Sequence, residues 1–228
     1  MSEPGVWIEL YDLATGDHDE WRSWYDATYL EPRVTVHGVS AARRCRGVVD
    51  RIPHPVPAAA PVEIALYELT DVAAASTEEW QAIGQGAGDA AQRAIVAGGS
   101  GALYRQLSST EQPYRPAPAA EILHGAFFEV PARHHDEFNA WYDLEHVPEQ
   151  LAVRGYLNAR RFQGVIEQDR FVALYDVTAL EATESRKASA AMSSPWGDRV
   201  RHQLVKARAR RLFRIERLEL AAGGVASG

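Results

Sequence analysis

The sequence predicts an α+β protein in which one β-α-β-β-α-β unit occurs twice along a single chain. Three observations lead there. The segment from His18 to Val48 lies over the segment from His135 to Val165 without a gap, a proline-rich stretch separates the copies, and both copies change between strand-like and helix-like hydrophobic periods in the same order. The offset is constant, since 141 − 24 for the tryptophans and 155 − 38 for the glycines are both 117.

The matches include His18-Asp19-Glu20 with His135-Asp136-Glu137, Trp24-Tyr25-Asp26 with Trp141-Tyr142-Asp143, and Ala42-Arg43-Arg44 with Ala159-Arg160-Arg161. Leu66-Tyr67-Glu68-Leu69 pairs with Leu174-Tyr175-Asp176-Val177 once the first copy is allowed an extra loop from Arg51 to Pro61. Two copies of so long a period are a duplicated unit rather than a solenoid, which needs several short repeats to share a core. The organisation expected is a first repeat over residues 1–109, a link over 110–120, a second repeat over 121–220 and a disordered tail over 221–228. Pro113, Pro116 and Pro118 mark the link, because proline removes donors and favours extended backbone.

The elements of the second copy follow in order. Ile122–Val130 is apolar and aromatic and reads as a strand. A helix starts at Asp136, with Phe138, Trp141, Tyr142, Glu145 and His146 at three- and four-residue spacings. Pro148 disfavours helical backbone at Val147, so the helix should end or kink near His146. Gly155 marks a turn into paired strands over Asn158–Gly164 and Arg170–Asp176; a helix over Leu180–Met192, open to resuming after Pro195, and a final strand over Arg211–Leu218 complete the unit. The first copy repeats this order, with its second helix between Thr77 and Val96 and a last strand near Leu103–Leu107. Such an order is that of a ferredoxin-like unit, and two tandem units are expected to bring their sheets together in an intramolecular barrel.

Composition narrows the function. Of 228 residues, 46% are hydrophobic and 24% charged, the balance of a globular protein. The net charge of −7 opposes the counterion release on which general nucleic-acid binding depends, so no nucleic-acid partner is expected. No stretch approaches the roughly 20 apolar residues of a membrane span, and the N-terminus has no basic region followed by an apolar run, which makes a cytoplasmic location the expectation. The one cysteine, Cys45, sits in a strand at the position of Phe162 and reads as buried filler.

The run Trp141-Tyr142-Asp143-Leu144-Glu145-His146-Val147-Pro148, followed by Gly155-Tyr156 and Ala159-Arg160-Arg161-Phe162, resembles the dimeric α+β barrel superfamily, especially its EthD-like members. The resemblance implies an intramolecular dimeric α+β barrel. It also implies a range of activities: cofactor-free monooxygenases, lactone isomerases, polyketide cyclases, lyases and haem enzymes. The first copy departs from the motif, with Thr28 at the Glu145 position, Tyr29 at the His146 position and Arg33 at the Gln150 position. The second copy is therefore the expected site.

Histidine gives and takes protons near neutral pH, which makes His146 the candidate acid or base, and the carbonyls of a helix end would favour its charged form. Tyr142 and Asp143 precede it by four and three positions, where either would orient the imidazole. Substrate-binding candidates are Trp141, Glu145, Arg160, Arg161 and Tyr29. Glu145 cannot share the direction of His146, being about 100° away on a helix. Arg160 and Arg161 point to opposite faces of a strand, one toward the cavity to hold an enolate or carboxylate.

His134 and His135 lack further ligands at metal spacing, Gly98, Gly99 and Gly101 precede a strand instead of opening a helix, and no nucleophile elbow occurs. The function expected is proton transfer next to a carbonyl on a small apolar or aromatic oxygenated metabolite, as an isomerase, cyclase or lyase with no cofactor and no metal. A cofactor-independent monooxygenase, a haem enzyme using His146 or His202, and a non-catalytic binding or assembly module are the alternatives. The partners expected are a small-molecule substrate and, as an open option, a second copy of the chain as a homodimer.

Overall fold

The computed structural model describes residues 2–13, 18–48, 62–84, 96–190 and 193–222. It divides into two compact units, one of Met1–Arg105 with Phe213–Gly228, the other of Gln106–Leu212. The loop over 51–61, most of the expected tail and residues 85–95 of the first copy's second helix lie outside the described residues.

The first unit contains β1 (Gly5–Leu13), β2 (Val39–Gly47), β3 (Val62–Leu69) and most of β4 (Val96–Ser109). Strand order is β4-β1-β3-β2, with the C-terminal half of β8 (Ala207–Leu220) paired to β2. Side chains alternate across β1. Val6 and Ile8 are buried on one face, while Trp7, Glu9 and Tyr11 meet Tyr25 or one another on the other. That second face is covered by α1 (His18–Tyr25) and α2 (Glu31–Val34), with α3 (Glu78–Ala82) adding Trp80. The apolar cluster beneath them includes Trp21, Tyr25, Leu30, Ala42, Ala65, Tyr67 and Trp80.

The second unit contains β5 (Ile122–Glu129), β6 (Tyr156–Gly164), β7 (Arg170–Val177) and the start of β8, in the order β8-β5-β7-β6. Its helices are α4 (His135–Trp141), α5 (Val147–Leu151), α6 (Leu180–Thr183), α7 (Arg186–Ala190) and α8 (Pro195–Arg199). Gly38 and Gly155 enter β2 and β6 at φ of 93° and 103°, a region that side chains with a Cβ avoid. No described helix is long and apolar enough to cross a membrane.

The helix before Pro148 deforms without ending. Tyr142–His146 forms a π-turn in which the Val147 N–H reaches back to the Tyr142 carbonyl, and α5 then resumes. A proline ring would clash with the carbonyl four residues earlier in a regular helix, and the wider turn relieves that clash. The first unit does the same over Asp26–Leu30, with the Glu31 N–H on the Asp26 carbonyl just before Pro32.

Candidate active site

A buried carboxylate organises the helix-facing side of the first unit. Glu9 accepts bonds from Trp7 Nε1 (2.9 Å), Tyr11 Oη (2.8 Å), Tyr25 Oη (2.5 Å) and Arg33 Nη1 (2.7 Å). Tyr25 and Tyr67 bring their hydroxyls to 2.8 Å. The Arg33 guanidinium also lies over the rings of Tyr29, Tyr67 and Trp80. Burial alone would raise the Glu9 pKa, but Arg33 and the converging donors outweigh it and lower the value. Every oxygen lone pair of that carboxylate has work to do, and the position is filled by the protein itself.

The second unit keeps the frame and removes the carboxylate. At the same offset of 117, Glu9 corresponds to Ala126, Tyr11 to Phe128, Trp7 to His124, Tyr25 to Tyr142, Tyr29 to His146 and Arg33 to Gln150. The sheet registers agree, since Glu9 sits opposite Ala65 and Ala126 opposite Ala173, while Trp7 sits opposite Tyr67 and His124 opposite Tyr175. The consequence, among the described residues, is that Tyr142 Oη, Tyr175 Oη and Gln150 Oε1 are buried without a hydrogen-bond partner. The two phenols are close enough to perturb one another, although neither bonds the other in ordinary geometry. Burial raises both phenols above their usual range, with Arg161 pulling each slightly back, so both remain protonated at neutral pH.

His146 is buried beside them. Its ring stacks on Trp141 at 4.5 Å and meets Tyr142 edge to face at 5.0 Å. The π-turn is what brings a residue five positions earlier onto the imidazole face, where a regular helix would bring one three or four positions earlier. Trp141 is itself held, because its Nε1 donates to Glu145 Oε1 (3.0 Å) and Ser194 Oγ donates to the same oxygen.

A second polar arm joins from β5 and β8. His124 Nδ1 lies 3.0 Å from Tyr156 Oη, and Arg210 Nε donates to His124 Nε2 at 2.9 Å. Donation from a guanidinium requires Nε2 to be the unprotonated nitrogen. Burial, then Arg210, then His146 push the His124 pKa well below its ordinary value, which agrees with a neutral ring. The Tyr175 ring lies 5.3 Å from that of His124 and so connects the two groups.

The residues expected from sequence divide between this cluster and the scaffold. His146, Tyr142 and Trp141 come together in this cluster. Asp143 does not orient the imidazole: its carboxylate binds Arg161 at 2.7 Å, and among the described residues it makes no bond to His146. The pair is structural, because Asp26 and Arg44 repeat it at 2.7 Å in the first unit and tie helix to strand in both. Arg161 does share the Tyr142 face, with its guanidinium 4.5 Å from the ring centre. Arg160 is on the other strand face against Tyr114, at 3.4 Å from that ring centre, and so does not meet the His146 cluster. Glu145 braces Trp141, and Tyr29 belongs to the filled network of the first unit, stacked on Tyr25.

His124, Gln150, Tyr156, Tyr175 and Arg210 were not foreseen in this role. The repeat held a signal for His124, because the 117-residue register extends back to Trp7, and at Glu9 it exposes the exchange of an acid for Ala126. Among the described residues no group of three or more His, Cys, Asp or Glu is arranged to hold a metal ion. Of the described histidines, His124, His146 and His202 do not fit a haem: both His124 ring nitrogens are engaged, His202 is exposed, and aromatic rings pack closely on His146.

No protein-family model matches the sequence, and no curated protein does. Solved structures match along nearly its full length. A candidate monooxygenase from Fusobacterium nucleatum gives a TM-score of 0.65 over 96% of this chain and 95% of its own, at 8% identity. An anthrone oxidase-like protein gives 0.65 over 100% and 97%, at 12% identity. A candidate chlorite dismutase gives 0.53 over 95% and 96%, at 15% identity. At such identities the likeness is one of fold. The chain has a tandem ferredoxin-like, α+β fold, as its repeat led one to expect, and shares that fold with these structures; the likeness does not single out an EthD-like branch.

Proposed function

We propose that the second unit is the active site of an enzyme that removes a proton from carbon beside a carbonyl or phenolic system in a small aromatic or apolar metabolite, using no bound cofactor. The observation that carries this reading is the pair of buried, unpartnered phenols, Tyr142 and Tyr175, set next to the buried imidazole of His146. His146 takes the proton, and the electron pair left on carbon delocalises onto the substrate oxygen. A protonated phenol donates to that oxygen as its charge grows, which is worth most in a site that excludes water. Trp141 fixes the imidazole plane during the transfer. Return of the proton to another carbon gives isomerisation, attack of the carbanion within the molecule gives cyclisation, and loss of a neighbouring group gives elimination.

A second reading is favoured by the names of two similar structures, a candidate monooxygenase and an anthrone oxidase-like protein. Here the same carbanion passes its electrons to molecular oxygen. For anthrone the balance is anthrone plus O₂ to anthraquinone plus water.

Anthrone itself separates the two. Under anaerobic conditions in heavy water, the wild-type protein should speed deuterium entry at the acidic methylene, and in air oxygen uptake should follow only if the second reading holds. His146→Gln should slow the exchange by about 10² to 10⁴, the scale of a positioned acid or base. Tyr29→Phe should cost far less. Near wild-type exchange in folded His146→Gln would remove His146 from the mechanism, and a larger loss in Tyr29→Phe would move the site to the first unit.

A further inference from the structure

The first unit carries, covalently, the kind of group that the second unit lacks. We infer that the second unit seats an oxyanion of a planar aromatic ligand, a carboxylate or a phenolate, at the position that the Glu9 carboxylate fills in the first. This deepens the proposed function by naming the ligand chemistry of the same site.

Comparison of the two units supports the assignment. Around Glu9 the donors are the Tyr25 and Tyr11 hydroxyls, the Trp7 indole and Arg33. The second unit retains Tyr142 at the Tyr25 position and Tyr175 at the Tyr67 position, each about 1% exposed, and among the described residues their hydroxyls have no partner beyond one another. The residue that would supply the acceptor is Ala126, whose side chain ends at Cβ. A buried hydroxyl left without a partner costs about 1–3 kcal/mol, which favours any ligand atom able to accept from it.

Charge agrees with this. Arg210 reaches the cluster through His124 and also donates to the Thr183 carbonyl, and among the described residues no carboxylate pairs with it. His124, His146, Tyr142, Tyr156, Tyr175 and Gln150 add no negative charge at neutral pH. A cation with no acid beside it, joined through His124 to the ring of Tyr175, suits an anion. The aromatic walls of Phe128, Trp141 and Tyr156 suit a flat ring attached to it.

The test uses 4-nitrophenol, whose colour reports its ionisation, and benzoate, which is a carboxylate at neutral pH. Wild-type protein should bind one of them and, for the phenol, favour the coloured anion; the two arms tell phenolate from carboxylate. Ala126→Glu supplies an internal carboxylate and should weaken binding of the preferred probe by at least tenfold while the fold persists. Tyr142→Phe with Tyr175→Phe, which keeps the shape, should weaken it by about 10- to 100-fold, the loss of hydrogen bonds to a charged acceptor. Undiminished binding in folded Ala126→Glu, binding of the neutral phenol alone, or binding of neither probe would overturn the seat. These are equilibrium measurements, so failure here is separate from failure of proton transfer, which is read in the exchange rate of His146→Gln.

Discussion

One substitution at two equivalent positions should act in opposite directions. Tyr25 and Tyr142 occupy matching places in the repeat, are each about 1% exposed, and differ in what their hydroxyls meet. Tyr25 donates to the Glu9 carboxylate at 2.5 Å, so Tyr25→Phe removes a hydrogen bond to a charged acceptor and should destabilise by about 1.5–3 kcal/mol. The change also takes away the 2.8 Å contact between the Tyr25 and Tyr67 hydroxyls, which places the loss toward the upper end of that range. Tyr142→Phe removes a hydroxyl that is desolvated with no partner, so the variant should be neutral or more stable by up to about 1 kcal/mol. Urea unfolding followed by tryptophan fluorescence measures both, since Trp24 and Trp141 directly precede the two tyrosines. A shift of the midpoint downward in Tyr142→Phe as large as that in Tyr25→Phe would refute the claim that the second unit holds an idle donor. It would also remove the main support for the anion seat.

Two further outcomes follow from the same structure. His124 is held well below its ordinary pKa of 6.5 by burial, Arg210 and His146, so the unfolded chain binds a proton that the native ring refuses. The stability this provides is present above pH 6.5 and lost as pH falls, with a slope approaching about 1.4 kcal/mol per pH unit. Unfolding midpoints from pH of about 7.5 to 5.5 should show that slope and its reduction in His124→Asn; equal slopes in both proteins would show that His124 titrates normally. Gly155→Ala should cost about 1–3 kcal/mol, because φ is 103° and the new Cβ would come within 2.6 Å of the Ala182 Cβ; a midpoint change under about 0.5 kcal/mol would show that the turn adapts.

Much of the fold was legible in the chain because the duplication supplied an internal comparison. The gap-free register located strands, helices and turn glycines twice over, and the paired Trp-Tyr-Asp and Ala-Arg-Arg runs marked the helix and strand that pack together in each unit. Sequence also singled out the second copy, since a histidine and a glutamine stand where the first has tyrosine and arginine. The role of Asp143 was misjudged because regular helical spacing was assumed, and Pro148 imposes a π-turn that gives His146 to Trp141 and leaves Asp143 to Arg161. Strand alternation separated Arg160 from Arg161 without saying which face met the helix, a choice made only when β6 packs. The cluster of His124, Tyr156, Tyr175 and Arg210 draws on four strand positions far apart in sequence. Pairing across a sheet is set by the whole fold, so only the tertiary structure could decide that these groups meet beside His146 and that two of their neighbours' hydroxyl and amide oxygens, on Tyr142 and Gln150, are left without partners.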